Sequence, residues 1–185
     1  QTRLVAVCGH GEVTAASVAG SLGVPGYTGA RYGEMLADHR MPYKWLMYDS
    51  VTNVPLVVCD FRAGGHRRVA RTDDLVSLMD LAPTILEAAG IEVPTNIEGQ
   101  SLAPYLSGEQ PAPRRWVYCE DNYEIMMRGK DYKMVYYIGE QMGELYDLKN
   151  DPDELYNLWN SEEHQAVKTE MRLHLLEWLA ASTYW

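Results

Sequence analysis

The sequence predicts an α/β chain in two parts: part of a parallel-sheet domain over residues 1–110, then a small α+β subdomain over residues 111–185. The continuous β-branched run at residues 54–59 is typical of a strand buried on both faces of a parallel sheet. Closely spaced Tyr- and Val-rich segments after Pro113 predict a four-stranded antiparallel sheet packed on a C-terminal helix. Pro111 and Pro113 mark the boundary between the two parts.

The elements of the first part are short. Residues 2–8 predict a strand, and residues 13–30 are almost all small and uncharged, which indicates a weakly specified segment. After the strand at 54–59, Asp80 is a candidate N-cap for a helix that ends at Gly90. The helix is expected to bury a stripe formed by Ile85, Leu86 and Ala89.

The second part predicts strands at residues 115–120, 123–128, 132–138 and 144–148, separated by turns short enough for an antiparallel meander. Residues 150–153 predict a turn in which Asp side chains bond their own backbone, with Leu155 among the residues that pin it to the core. Residues 161–182 predict an amphipathic helix capped by Ser161. Its buried face is expected to hold Val167, Met171, Leu175, Trp178 and Leu179.

Charge and composition exclude several classes of function. The formal net charge of -10 argues against a nucleic-acid partner. No stretch reaches the roughly 20 apolar residues of a membrane span, and no signal peptide is visible. Three widely spaced cysteines form neither a disulfide framework nor a zinc site, and Cys59 and Cys119 are expected to be buried small hydrophobes. The cellular compartment is left undetermined.

Three stretches carry a resemblance to a known family. The first runs from residue 33 to residue 56 and includes Asp38-His39, Lys44 and a Val-Pro-Leu strand. The second is residues 74–91 with the Gly-Gln-Ser-Leu of 99–102, and the third is residues 144–158. In order and spacing they resemble the C-terminal portion of the sulfatase family, within the alkaline phosphatase superfamily.

This resemblance implies sulfate-ester hydrolysis by a formylglycine nucleophile and a divalent cation, Ca²⁺ or Mg²⁺. The family makes formylglycine from a C/S-x-P/A-S/A-R motif, and none of the three cysteines begins one. The positions aligned with two metal ligands hold Arg31 and Tyr32, and a second register offers only His10 beside Gly9. We therefore expect no cofactor in this chain, no metal ligand set, and no activity from the chain alone.

Two side chains remain as candidate catalytic residues. The resemblance implies that Lys44 contacts the sulfate as a point charge, whereas without it Lys44 would be an exposed lysine beside aromatic residues. His39 could donate a proton to the leaving oxygen, or it could be a partner of Asp38 or Asp49. These alternatives stay open at the level of the sequence.

Three hypotheses about function follow. The leading one is a sulfatase that acts, in the intact parent protein, on a sulfate-ester small molecule or glycan. The loss of ligand residues at Arg31 and Tyr32 motivates a second, a non-catalytic binding or assembly module. A third is a related phosphoester or phosphonate ester hydrolase, since phosphoryl and sulfuryl transfer place similar demands on a site. Apolar strands left uncovered in such a fragment would also favour self-association.

Overall fold

The structure of the chain is a computed structural model that describes residues 5–7, 27–29, 35, 38–41, 46–54, 56–58 and 70–182. The chain divides into two units. The first unit comprises Gln1–Lys44 with Ser50–Arg114, and the second comprises Trp45–Asp49 with Arg115–Trp185. The domain boundary expected between residues 110 and 111 stays a prediction.

The first unit contains a four-stranded sheet of very short strands. These are β1 (Val5–Val7), β2 (Tyr27–Gly29), β3 (Leu56–Val58) and β4 (Ala70–Thr72), in the order β2-β3-β1-β4. The strand expected at residues 54–59 is therefore present as β3, but it is antiparallel to both β1 and β2, and only β1 and β4 are parallel. An apolar run reports burial and not strand direction, which explains the difference. Cys8, Cys59 and most of residues 13–30 lie outside the described residues.

Among the described residues, one short α-helix lies between β2 and β3 in the sequence, and two more follow β4. They are α1 (Asp49–Thr52), α2 (Leu81–Ala88) and α3 (Ala103–Ser107). Helix α2 is the one expected before Gly90, but Asp80 is not its side-chain cap. Instead Ser77 caps a 3-10 turn, Leu78–Asp80, that leads directly into α2, and Asp80 closes the capping box by accepting from the Ser77 amide.

The buried side of α2 differs from the predicted one. Pro83 and Thr84 are buried, whereas Ile85 is 38% exposed and Ala89 is exposed, so the predicted stripe is wrong for these two residues. The Thr84 hydroxyl donates to the carbonyl of Asp80 and accepts from the amide of Leu102. Thr84, a polar residue whose hydroxyl is hydrogen-bonded, is thus buried in α2, whereas the neighbouring Ile85, which was predicted to be buried, is exposed.

The second unit confirms the predicted antiparallel sheet and C-terminal helix. Its strands are β5 (Val117–Glu120), β6 (Glu124–Arg128), β7 (Tyr132–Tyr137) and β8 (Gly143–Asp147), which pair in sequence order. All three pairings are antiparallel, with Met127 opposite Met134 and Met134 opposite Leu145. Because side chains alternate along a strand, these three residues share one face of the sheet.

Helix α4 (Gln165–Ser182) covers this face. Met171 and Leu175 are buried in the core with the three sheet residues and Trp159, and the rest of the predicted helix face packs against them: Val167, Trp178 and Leu179. The helix begins later than predicted. Ser161 is therefore not its cap but lies in a preceding turn, where its hydroxyl contacts Nδ1 of His164 at 2.9 Å.

Two surface features of the second unit depart from the sequence prediction. Asp151 accepts from the amides of Leu155 and Tyr156, four and five positions on and outside the predicted turn, and the Leu155 side chain is 62% exposed and does not pin the turn. Cys119 is exposed, not buried, because β5 lies at the edge of its sheet. No helix among the described residues is long and apolar enough to cross a membrane.

Candidate functional site

Of the two residues predicted to be catalytic, His39 lies among the described residues and Lys44 does not. His39 is half-buried in a 3-10 turn, Asp38–Arg40, and both His39 (φ 49°) and Arg40 (φ 59°) have left-handed backbones. That conformation costs a non-glycine residue on the order of 1–3 kcal/mol, so the surrounding structure must hold it in place. Lys44 lies outside the described residues, as do Arg31, Tyr32 and His10.

Residues 46–54 are described, and Met47 to Asp49 contact the sheet of the second unit. Met47 is buried against Met126 and Val135, which neighbour each other on β6 and β7. The ring of Tyr48 lies 6.1 Å from that of Tyr146, measured between centroids. These contacts are all on the sheet face opposite α4, because residues 126 and 135 alternate with the α4-facing methionines.

A cluster of four charged side chains lies on the same face. The Lys133 Nζ atom is 3.0 Å from Oδ1 of Asp49 and 2.7 Å from Oε1 of Glu154. Arg128 donates to Asp49 through both Nε (3.1 Å) and Nη2 (2.9 Å), and the Asp49 amide donates to Oε2 of Glu154 at 2.6 Å. We call Asp49, Arg128, Lys133 and Glu154 the ion cluster; its two cations and two carboxylates are formally neutral together.

The side chains of the ion cluster differ in their electrostatic environment. Burial by itself raises the pKa of Asp49, but the charges of Lys133 and Arg128 outweigh burial and leave this pKa below its usual value. Among the described residues, Glu154 has one cationic partner, Lys133, and there burial prevails and raises the pKa of Glu154. Asp49 is therefore the carboxylate that the cluster stabilises most strongly in its charged form.

The ion cluster is buried enough for its pairing to matter. Lys133 is 0% exposed and Glu154 is 3% exposed. Removing one partner from such a group leaves a buried charge without compensation and costs about 3–5 kcal/mol. Sequence reasoning missed it because charged residues are assumed to be exposed. The available signal was period two: Lys133 falls in phase with Val135 and Tyr137 on β7.

A second polar group lies farther along this face. Glu124 is 6% exposed, and among the described residues its Oε2 atom has no hydrogen-bond partner. Burial, with the nearby carboxylates of Glu144 and Asp121, raises the pKa of Glu124 to about 7. Glu144 itself accepts from the Tyr137 hydroxyl at 2.8 Å. Glu124 is thus a carboxyl group that can hold a proton near neutral pH.

The first unit contains its own buried ion pair. Asp80 is 1% exposed and accepts from both terminal nitrogens of Arg114, at 2.7 and 2.9 Å, and from the amides of Ser77 and Gln100. Every oxygen of this carboxylate is bonded within the local fold. The bonding of Asp80 therefore indicates a structural role in the first unit.

The described residues hold no group of three or more His, Cys, Asp or Glu side chains arranged to bind a metal ion. Neither the ion cluster nor the Asp80 pair is a suitable substitute, since each carboxylate oxygen of Asp49 and Asp80 already accepts from a cation or an amide. The donor set that a sulfatase cation requires is therefore not present in the described part of this chain.

Comparison with known proteins identifies the family. Residues 37–181 match the family model described as N-sulphoglucosamine sulphohydrolase, C-terminal. The chain belongs to this sulfatase family. The match includes His39, Lys44, the ion cluster and the whole of the antiparallel sheet with α4, and it confirms the resemblance carried by the three sequence stretches.

Individual sulfatase relatives show how much of the family protein is represented. The Delta 4,5-hexuronate-2-O-sulfatase of Bacteroides thetaiotaomicron is 36% identical over 166 residues, 83% of this chain and 34% of the relative. Arylsulfatase K of Xenopus laevis is 32% identical, over 83% of this chain and 32% of the relative. The crystal structure of the phosphonate monoester hydrolase of Agrobacterium radiobacter has a TM-score of 0.71 and 26% identity, over 82% of this chain and 34% of that one. This sulfatase chain thus spans about a third of the length of the relatives that it matches.

Proposed function

We propose that this chain is the C-terminal portion of an enzyme that hydrolyses sulfate esters, in which Lys44 contacts the sulfuryl oxygens and His39 protonates the leaving oxygen. The observation that carries this proposal is the family match over residues 37–181, which includes both side chains. The left-handed backbone at His39 and Arg40 adds support, because strained backbone is more often retained at functional sites than elsewhere.

Each side chain suits the role proposed for it. Negative charge builds up on the sulfuryl and leaving oxygens as the ester bond breaks, and a lysine ammonium is a compact cation that stabilises such charge. The departing alkoxide or phenoxide needs a proton, which an imidazolium can supply near neutral pH. The two groups lie five positions apart in the sequence, at Asp38-His39 and Lys44.

The remaining chemistry would come from outside this chain. In a sulfatase, a formylglycine supplies the nucleophile and a divalent cation polarises the sulfuryl group. Because the sequence has no formylglycine motif, we propose that preceding residues of the parent protein hold the nucleophile and the cation. On that proposal, this chain alone binds weakly and does not turn over substrate.

The proposed substrate class is a sulfated sugar. The relative from B. thetaiotaomicron is, by its name, a sulfatase of a hexuronate 2-O-sulfate. The phosphonate monoester hydrolase of A. radiobacter supports a second candidate, hydrolysis of a phosphonate ester, because its fold covers the same part of this chain. The chemistry of Lys44 and His39 suits either ester, so the choice requires an assay.

Hydrolysis of three chromogenic esters tests these proposals. We expect the full-length product of the gene that encodes this chain to cleave 4-nitrophenyl sulfate faster than 4-nitrophenyl phosphate or 4-nitrophenyl phenylphosphonate, and to lose activity in EDTA. Lys44→Ala should lower the turnover of the sulfate ester by about 100-fold or more. The 185-residue chain should show no turnover above the buffer rate.

Three other results of these assays would each favour a different hypothesis. Faster cleavage of the phosphonate would replace the leading proposal by the second one. No cleavage of any ester by the full-length protein would favour the non-catalytic module. Turnover by the 185-residue chain, abolished in Lys44→Ala, would show that the chain contains a nucleophile and would overturn its proposed inactivity.

We also propose that the isolated chain self-associates. Among the described residues, β2 and β4 are the outer strands of the first sheet. An outer strand has backbone groups that can pair with another copy of the chain. Light scattering at micromolar concentration should therefore give a mass above 21.0 kDa, and a single species at the monomer mass would contradict the proposal.

A further inference from the structure

The chain after Lys44 makes an unusual excursion. Gln1–Lys44 and Ser50–Arg114 belong to the first unit, and Trp45–Asp49 between them belongs to the second. Asp49 begins α1, but the described residues before it, 46–48, have no regular secondary structure. The contacts that the second unit makes with this segment therefore help to fix its position.

The second unit holds this segment at its side chains and at its main chain. Met47 packs against Met126 and Val135, which fixes the segment's distance from the sheet. The Asp49 amide donates to Glu154 at 2.6 Å, so the backbone itself is tied down. The Asp49 carboxylate accepts from Arg128 and Lys133, which prevents the segment from sliding along the apolar contact.

Lys133 connects the two carboxylates that hold the segment. Its ammonium lies within 3.0 Å of Asp49 and 2.7 Å of Glu154, so one buried cation joins the carboxylate of the segment to the acceptor of the segment's amide. Glu154 has a left-handed backbone (φ 54°) that places its side chain for this role. Charged contacts are costly to bury, and their best-attested use is to select one geometry among several.

We propose that Asp49, Lys133 and Glu154 are positioning residues that hold Lys44 against the sulfuryl group; this inference rests on the proposed contact between Lys44 and the sulfate. Asp49 follows Lys44 by five positions, and Trp45–Asp49 belong to the second unit. A displacement of a reacting group by about 1 Å can lower a rate by about 100-fold. In this arrangement the C-terminal sheet contributes to catalysis without touching the substrate.

A double-mutant cycle in the full-length gene product tests the inference. The kcat/KM for 4-nitrophenyl sulfate is measured for the parent protein, Asp49→Asn, Lys44→Ala and the double variant. If Asp49 acts through Lys44, Asp49→Asn should lower kcat/KM by about 10- to 100-fold in the parent and by less than about 3-fold in the Lys44→Ala protein. Asp49→Glu, which keeps the charge, should recover part of the loss.

Asp80→Asn is the matched control, because it also damages a buried carboxylate–arginine pair but in the first unit. It should lower the melting temperature, as Asp49→Asn does, with no comparable loss of kcat/KM. Thermal melts confirm that each variant is folded at the assay temperature. If Asp49→Asn fails to fold, Asp49→Glu and Glu154→Gln take its place in the same cycle.

The outcomes separate this inference from the function on which it rests. Equal losses from Asp49→Asn in both backgrounds would overturn the positioning role and leave the proposed function intact, as would no loss in the parent. An unchanged kcat/KM in Lys44→Ala would overturn the role of Lys44 and with it this inference. Loss in the parent that disappears with Lys44 supports both.

Discussion

The two faces of the antiparallel sheet use the same strands for different purposes. On the face covered by α4, Met127, Met134 and Leu145 are fully buried among other apolar side chains. On the opposite face, the residues one position away include Lys133 and Arg128, which are bound to carboxylates. The α4-facing side is held by apolar packing, whereas the other side combines the apolar contacts of Met47 with charged partners.

The two faces of the sheet therefore differ in which substitutions they tolerate. An apolar core tolerates changes that conserve volume, because its contacts have no required geometry. A buried ion cluster tolerates neither loss of charge nor change of geometry, because each charge needs its partner. The face with the stricter requirement is the one that receives the segment next to Lys44, which is where a fixed position would serve catalysis.

The largest expected effect comes from removing the charge of Lys133 while keeping its volume. Lys133→Met leaves the carboxylates of Asp49 and Glu154 buried with one cation between them, and should lower the free energy of unfolding by about 4 kcal/mol. Urea unfolding followed by tryptophan fluorescence measures it. The control is Lys149→Met at an exposed lysine, which should change stability by less than about 0.5 kcal/mol.

A loss of under about 1 kcal/mol for Lys133→Met would break the comparison, because the charged face would then depend on volume like the other. The same result would weaken the positioning role of the cluster.

The apolar face should show the reverse behaviour. Leu145→Ala opens a cavity beside Trp159 and Met171 and should cost about 3 kcal/mol, whereas Leu145→Met, which roughly conserves volume, should cost less than about 1.5 kcal/mol. Urea unfolding again gives both values. Leu155→Ala, at a leucine that is 62% exposed, serves as the control and should be nearly neutral. Equal losses from the alanine and methionine variants at 145 would contradict a volume-based core.

The contrast between the faces also explains what the sequence could reveal. The strands and α4 were predictable because their apolar residues repeat every two positions in a strand and about every 3.6 positions in a helix. Val135 in β7 and Met171 in α4 are examples of residues in such patterns. The burial of Lys133 was not, because it depends on Asp49, which is 84 positions away. Local pattern carries no information about such a partner, and a lysine in a strand is ordinarily exposed.

The catalytic candidates show the same limit in another form. Lys44 and His39 were found by family resemblance alone, since neither composition nor periodicity distinguishes them from surface residues. On α2, Thr84 is buried and Ile85 is exposed, and the partners of the Thr84 hydroxyl, at Asp80 and Leu102, are not visible in the apolar pattern. Capping signals in the sequence placed that helix but not its rotation.

Glu124 supplies a smaller, pH-dependent effect on the charged face. Its pKa is about 7 in the folded chain and 4.5 ordinarily, so between these values the folded chain holds a proton that the unfolded chain has released. The stability from this group is therefore fully present below about pH 4.5 and is lost as the pH rises through 7. Glu124→Gln cannot ionise and should gain roughly 1–2 kcal/mol relative to the parent at pH 8, with little difference at pH 5.

Urea unfolding at several pH values between 5 and 8 measures this difference. Glu120→Gln, at an exposed glutamate of β5, is the matched control and should leave the pH dependence unchanged. If Glu124→Gln and the parent differ equally at pH 5 and pH 8, the carboxyl does not titrate in this range.

The smallest effect is expected from an ion pair on the surface of the same unit. Arg115 and Glu170 are 62% and 54% exposed at their side chains, so water already solvates both charges. Glu170→Ala should lower the free energy of unfolding by about 0.5 kcal/mol in dilute buffer, and 1 M NaCl should remove most of that difference. A loss as large as that of Lys133→Met would mean that pairing, not burial, sets the strength of the ion cluster. The expected ratio between the two variants, about eightfold in free energy, is therefore a measure of what burial adds to a charge that has found its partner.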